Sequence, residues 1–385
     1  MKVYLHSLGC RLNQGEIDAL ARQLFAAGHD IVSEPSRADV CAVNTCAVTT
    51  RAERKSRQAL GAINRANPEA PIAALGCYAT LDGQKLSALP GVACVLPNSE
   101  KELAVETIAL LGKPQARAIE QGRELSHRTR AFLRVQEGCD CRCTYCVTRI
   151  LRGPSRSRPL PEVLSEVQEL VHTGYQEVVL TGVNLGSYGR DLEAGLRLSN
   201  LIAAILDSTS IPRLRLSSLE PWDLDDSLLL LWSDSRLCRH FHVPLQSGCD
   251  YTLRRMGRRT DCEAYSDIVL SIRRSVPDAA ITSDIMVGFP GEADAHFWSS
   301  FDFISRIEFA RLHVFPFSPR PGTAASTMPD QISHSVCRER AKLVRELGRQ
   351  QSTTFQQAFI GREMEVLWES SRPDGLWQGL TDNYL

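Results

Sequence analysis

Apolar positions near the start of the chain gather in short runs, each followed by a stretch of helical period. VYLHSLGC, residues 3–10, reads as a strand, and behind it Ile17, Leu20, Ala21, Leu24 and Phe25 keep the three-four spacing that lines one face of a helix. A second run, ADVCAVNTC over 38–46, leads into the basic helical stretch RAERKSRQALGAINRA, and a third, APIAALGC over 70–77, precedes another turn. Strand and helix alternate, so these runs predict a parallel, flavodoxin-like α/β domain over residues 1–112.

The alternation resumes beyond residue 130. AFLRVQ, EVVLTG, RLRLSS, HFHVPLQ, ITSDIMVGF and ARLHVFPF are strand candidates, separated by helical stretches such as PEVLSEVQELVHTG and the segment from Glu292 to Arg306. Six βα repeats are too few for a closed eight-stranded barrel, so they predict an open, partial (β/α)6 TIM barrel over 128–357 with its site at the strand carboxyl ends. The stretch GREMEVLWESSRPDGLWQGLTDNYL reads as strands around a Pro-Asp-Gly turn, an all-β tail over 358–385 too short to fold by itself.

A length of 385 residues agrees with this division into domains. The net charge is only -1, so an anionic partner must be met by a local patch rather than by the whole surface. One stretch is locally basic: residues 113–158 carry eleven Lys or Arg against four Asp or Glu, and include a linker over 113–127. Arg149, Arg152, Arg156 and Arg158 within it are candidates to meet nucleic-acid phosphates. The opening MKVYLHSLGC lacks an apolar signal core and no run approaches a membrane span, so a cytoplasmic protein with no membrane partner is expected.

Thirteen cysteines in a reducing compartment point to metal binding or burial rather than disulfides. Lone Cys41, Cys94, Cys238, Cys262 and Cys337 are expected as core residues. Cys10, Cys46 and Cys77 differ, because each ends a strand candidate and they stand 36 and 31 residues apart, about one βαβ period. Parallel pairing would bring all three to one carboxyl edge, where open α/β sheets bind ligands. In GCDCRCTYC, residues 138–146, four more thiols follow the first barrel strand. Structural zinc would want a second Cys-x2-Cys pair that the chain lacks nearby, whereas an iron–sulfur cluster suits clustered thiolates. Spacing alone leaves Cys139 and Cys141 competing for the third ligand position.

Cys139-x3-Cys143-x2-Cys146 resembles the signature of radical S-adenosylmethionine (SAM) enzymes. The resemblance implies a [4Fe-4S] cluster on those three cysteines, with one iron left open for SAM and Cys141 unassigned; one electron then cleaves SAM to a 5'-deoxyadenosyl radical. It also implies a SAM pocket. Tyr145 would pack beside the adenine, Thr181, Gly182 and Asn184 would hold the methionyl amino group, and His242 and Gln246 would lie near the ribose. In DIMVGFPGE, running from Asp284 through Val287 and Gly288 to Gly291 and Glu292, the glycines would let the backbone approach the adenine.

LGCRLNQ, NTCAVT, GCYAT, GCDCRCTYC, the Arg152-Gly153 and SRSRP stretch, LTGV, RLSSLEP, HVPLQSG, DIMVGFPGE and SPRPGT together, in order, resemble the methylthiotransferases among these enzymes. The opening motif and SPRPGT look most like the branch acting on tRNA N6-threonylcarbamoyladenosine beside the anticodon; sister branches act on isopentenyladenosine in tRNA or an aspartate of a ribosomal protein. The resemblance implies a second [4Fe-4S] cluster, auxiliary, on Cys10, Cys46 and Cys77. One SAM would methylate cluster-associated sulfur and a second would supply the radical that activates adenine C2. Its partners would be the tRNA anticodon stem-loop, an electron donor and a sulfur donor, and residues 358–385 would be a truncated part of the family's TRAM-like RNA-binding tail. A reading from another class is a non-catalytic, zinc-stabilised RNA-binding protein.

Overall fold

Five strands form the N-terminal sheet: β1 Lys2–Ser7, β2 Asp30–Val32, β3 Val40–Thr45, β4 Ile72–Gly76 and β5 Val92–Leu96. Their order is β2-β1-β3-β4-β5, parallel throughout. This is the flavodoxin order, whose switch point lies between β1 and β3. The computed structural model describes residues 1–112, 129–192 and 195–385, so the linker expected over 113–127 lies outside the described residues. The two edge strands β2 and β5 were not among the expected runs. A three-residue edge strand is too short to show a period, and β5 has only Leu96 buried, so neither carries the apolar signal of a central strand.

Both faces of the sheet are covered. Val40 and Ala42 pack on one side with Ile17, Leu20 and Leu24 of the helix Arg11–Ala26, while Cys41 and Val43 pack on the other with Leu60 and Ile63 of the helix Thr50–Ala66. That two-sided burial explains why β3 and β4 read as continuous apolar runs. Each fully buried Leu, Ile or Val contributes about 1.5–3 kcal/mol.

By contacts the chain divides into two units. The first holds residues 1–127 together with 132–134 and 147–154; the second holds 128–131, 135–146 and 155–385. β6 Arg130–Arg134, β9 Glu177–Thr181 and β10 Arg213–Leu216 form one three-stranded sheet, and in the second unit β7 Gln136–Glu137 and β8 Arg156–Ser157 make a short antiparallel pair beside the cysteine loop. β11 His240–His242, β12 Ala280–Val287 and β13 Arg311–Pro316 form another. Parallel bridges Leu214 to Leu237 and Ser218 to His242 connect the two, so the six expected strands follow one another as in an open barrel. Helices Leu160–His172, Leu198–Ser208, Cys262–Ser275, Asp294–Ile307 and His334–Gln357 lie between and after them. Among the described residues no helix is long and apolar enough to cross a membrane.

The last strands, β14 Val366–Ser371 and β15 Trp377–Thr381, pair antiparallel. They are anchored within the second unit by an ion network at the starts of β9 and β10. Arg215, fully buried, donates to both oxygens of Glu177 at 2.8 and 3.1 Å and to the backbone carbonyls of Thr381 and Asp382 at 3.1 and 2.8 Å. Its guanidinium also lies 4.0 Å from the centre of the Tyr384 ring. Burial pushes the Glu177 carboxyl up, but the hydrogen bond and charge of Arg215, with Arg213 and Arg130, hold it below its usual range.

Candidate cluster and cofactor sites

In the first unit, three neighbouring strands deliver three thiols to one edge. Cys46 follows the last residue of β3, Cys77 follows β4, and Cys10, three residues after β1, caps the helix Arg11–Ala26. Cys46 and Cys77 are buried and Cys10 is exposed. Burial pushes the Cys46 thiol up to about 11, a direction reinforced by Cys77 and Cys10 and opposed by Arg152. All three thiols thus stand at one carboxyl edge of the sheet, and a cation, Arg152, shares Asn13 Oδ1 with Cys10 Sγ.

Hydrogen bonds lock this edge. Asn13 Nδ2 donates to Leu8 O at 2.7 Å and Thr45 O at 3.2 Å, Asn44 Nδ2 donates to Asn13 O at 3.1 Å and Glu16 Oε2 at 2.8 Å, and Thr45 Oγ1 donates to Leu75 O at 2.6 Å. Asn98 Nδ2 donates to Cys77 Sγ at 3.7 Å, the kind of amide contact that tunes cluster sulfur. Gly9 adopts φ 103°, and a Cβ there would stand 2.8 Å from Cys46 Sγ. The residue before Cys77, Gly76, also has positive φ at 96° and presses its backbone on Asn44 and Thr45. A bare backbone is needed at both turns for the sulfurs to converge. A donor set of three thiols, two of them buried, with one cation and an amide suits an anionic iron–sulfur cluster.

The cation overturns one expectation. Arg152 does not reach toward phosphate: it is buried, with Nη1 2.7 Å from Glu16 Oε1 and Nη2 2.7 Å from Asn13 Oδ1. Lys101 also pairs with Glu16. Burial pushes the Glu16 carboxyl up, but Lys101 and Arg152 outweigh it and hold the group well below the carboxylate range. Arg158 is likewise engaged, 2.6 Å from Glu166 Oε2, which leaves Arg149 and Arg156 as the exposed members of the expected set.

In the second unit the loop 138–146 is pinned from several sides. Gln136 Nε2 donates to the carbonyls of Glu137 and Gly138, both at 2.8 Å, and its Oε1 accepts the backbone N–H of Asn184 at 2.8 Å. Thr144 donates from N to Met256 O and from Oγ1 to Arg255 O, both at 2.9 Å. Gln136, the first residue of β7, belongs to no motif of the sequence. Its burial on a strand end is visible only once β6 and β9 are neighbours.

The neighbouring Cys141 thiol pushes that of Cys139 up, while Cys139 draws that of Cys141 down. Cys141 Sγ also accepts from Asn184 Nδ2 at 3.7 Å. The extra thiol thus has defined partners of its own. Burial pushes Cys143 up to about 11, opposed by Arg258. Tyr145 packs on Met256, Met286, Phe289, Phe317 and Ala325, beside the DIMVGFPGE turn.

Of the expected pocket residues, Thr181 ends β9 and is buried, with its carbonyl accepting from Val135 N at 2.9 Å. Val287 ends β12 and is buried. Asn184 Oδ1 and Gln246 Oε1 are buried acceptors with no hydrogen-bond partner among the described residues. Gln246 also holds a positive φ of 73°, a strained choice for a non-glycine. Such acceptors fit a ligand that brings its own donors, as the ammonium and ribose hydroxyls of SAM do.

Two of the expected pocket glycines are also closely packed by protein. A Cβ on Gly182 would meet Gln136 Oε1 at 2.9 Å, and one on Gly288 would run into Cys337 Sγ of the helix His334–Gln357. Both spaces are filled by protein, and at Gly288 a φ of 74° adds to the demand for glycine. His242 and Asp284 do come together, with Nε2 and Oδ1 3.4 Å apart, and a third residue, His313, joins them 3.3 Å from the same oxygen.

Comparison with known proteins gives two domain matches: uncharacterized protein family UPF0004 over residues 2–97 and the radical SAM superfamily over 133–304. The chain is 38% identical over its whole length to the threonylcarbamoyladenosine tRNA methylthiotransferase MtaB of Thermotoga maritima, covering 90% of that protein. Its counterpart from Bacillus subtilis is 33% identical over the whole chain and 89% of its own length. A tRNA-2-methylthio-N(6)-dimethylallyladenosine synthase from Moorella thermoacetica is 34% identical over 94% of the chain and 85% of its own. Among solved structures, the radical S-adenosylmethionine methyltransferase TsrM from Kitasatospora setae, with cobalamin and a [4Fe-4S] cluster bound, is similar in fold, with a TM-score of 0.61 at 14% identity over 84% of this chain and 74% of that one.

Proposed function

The chain belongs to the radical SAM methylthiotransferases, and from that premise we propose that it adds a methylthio group to C2 of N6-threonylcarbamoyladenosine in tRNA, at the nucleotide 3'-adjacent to the anticodon. The observation that carries this reading is the full-length identity to relatives named for that reaction. Its cofactors are SAM and [4Fe-4S] clusters.

We assign the auxiliary cluster to Cys10, Cys46 and Cys77 and the radical SAM cluster to Cys139, Cys143 and Cys146. When bound, these groups supply the sulfur, the methyl group and the carbon radical that activates an aromatic C–H bond beyond the reach of acid–base chemistry. The protein's own residues hold and shield them. Arg152 offsets thiolate charge at the first trio, and Asn98 donates to Cys77 sulfur. Gln136 and Thr144 fix the shape of the second loop. Asn184 and Gln246 would offer their unpartnered oxygens to the donors of SAM, and Tyr145 would pack beside the adenine. Catalysis on an anticodon-loop base is favoured because an unpaired nucleotide leaves its stack at lower cost than one in a duplex. The anticodon stem-loop, an electron donor and a sulfur donor are its partners in this reading.

Mass spectrometry of tRNA nucleosides from cells with and without the protein tests the proposal. Loss of the methylthio form of threonylcarbamoyladenosine is expected. Loss of the isopentenyl counterpart alone would move the enzyme to the sister branch, and loss of neither would reject tRNA as its substrate.

A further inference from the structure

A second kind of metal donor set stands outside both groups of cysteines. His242, Asp284 and His313 lie on the adjacent strands β11, β12 and β13, and their ligand atoms all fall within 4.8 Å of one another. Strand register makes the grouping inevitable. Asp284 pairs directly with His313 and Thr282 with His242, and residues two apart on β12 share a face.

The separations have the length of ligand edges rather than of hydrogen bonds. His242 Nε2 is 3.4 Å and His313 Nδ1 3.3 Å from Asp284 Oδ1. A charge-assisted N–H to carboxylate bond measures about 2.7–2.9 Å. Two ligands about 2.0–2.1 Å from a tetrahedral zinc stand about 3.4 Å apart.

The surroundings are also those of a metal site. His242 Nδ1 is 2.9 Å from Thr282 Oγ1, which fixes the ring and directs Nε2 at Asp284. Thr282 Oγ1 is in turn 3.0 Å from His240 Nε2, so the orienting hydroxyl is itself held. His242 is 10% and Asp284 29% exposed at the side chain, whereas His313 is 51% exposed and opens an entry path. Two imidazoles and one carboxylate form the donor set of open zinc sites and of non-haem iron sites.

We propose that His242, Asp284 and His313 bind one divalent transition-metal ion, with zinc the ion whose tetrahedral edge the two imidazole–carboxylate separations match. Three protein ligands leave a position for an oxygen ligand. The site uses none of the six cluster cysteines and gives His242 and Asp284 a role other than the ribose and adenine contacts expected of them.

The test uses the full chain with its clusters reconstituted anaerobically, then equilibrated with zinc sulfate and desalted. Elemental analysis should find one zinc per chain in addition to iron, and zinc K-edge X-ray absorption should show nitrogen and oxygen neighbours alone. His313→Ala and Asp284→Asn should each weaken zinc binding about tenfold or more, with far-ultraviolet circular dichroism and iron content unchanged. Absence of bound zinc, a sulfur shell around it, or zinc binding indifferent to His313→Ala in the folded protein would each overturn the proposal. None of these readouts involves tRNA, so they stand or fall apart from the proposed activity.

Discussion

Arg152 shows how a single side chain can be misread from its neighbours. In sequence it belongs to a basic run, which suggests solvent and phosphate, yet its guanidinium is buried against Glu16 and Asn13. Arg152→Ala should therefore act through stability, costing about 3 kcal/mol, the lower end of the range for breaking a buried pair, since Lys101 still faces Glu16. Urea unfolding measures this. The double replacement of exposed Arg149 and Arg156 by Ala should instead leave stability unchanged and weaken tRNA binding, more at low than at high salt. The cysteines were the most legible residues, because thiols at strand ends and in a nine-residue loop have few structural excuses. Cys46→Ser and Cys143→Ser should each lower the anaerobic iron content by about four per chain, from about eight. His313 was illegible: it looks like any residue of a barrel strand until register sets it opposite Asp284.

At the scale of elements, central strands announced themselves and edge strands did not. β3 and β4 are buried on both faces and read as apolar runs, whereas β2 and β5 carry little buried surface. Turns were legible as glycines but not as to what each glycine must avoid. Gly76 is crowded by Asn44 and Thr45 at the start of the Cys77 helix, so Gly76→Ala should displace Cys77 and reduce iron at the first trio while sparing the second. Iron analysis of this variant in a Cys143→Ser background isolates the effect. Gly288 is legible as a turn glycine, but its neighbour Cys337, toward which a Cβ would point, is not. For Gly288→Ala the expected result is loss of stability through the helix His334–Gln357, seen as a lower Tm, since space and positive φ both oppose a side chain there.

For the molecule as a whole, the six barrel strands and their order were legible, and the limits of the units were not. Residues 147–154 look like a solvent-facing continuation of the cysteine loop, but Leu151 is buried in the core of the first unit and groups there with Arg152. The tail was legible as two strands, though not its anchorage. Arg213 and Arg215 sit in a strand whose pattern gives no hint of Glu177 or of the carbonyls of Thr381 and Asp382. Arg215→Met should strip the last strands of their anchor and destabilise the second unit by about 3–5 kcal/mol. Thermal unfolding followed by tryptophan fluorescence, with Trp368 and Trp377 in those strands, reports it.

Because Leu151 and Arg152 complete a core laid down mostly by the first 112 residues, synthesis on the ribosome imposes a delay. The early sheet emerges with Glu16 facing Lys101 alone, and it can finish packing only after all the thiols of the 138–146 loop have been made. No single cut in the polypeptide yields both units whole, so the two must be inherited, expressed and matured as one piece.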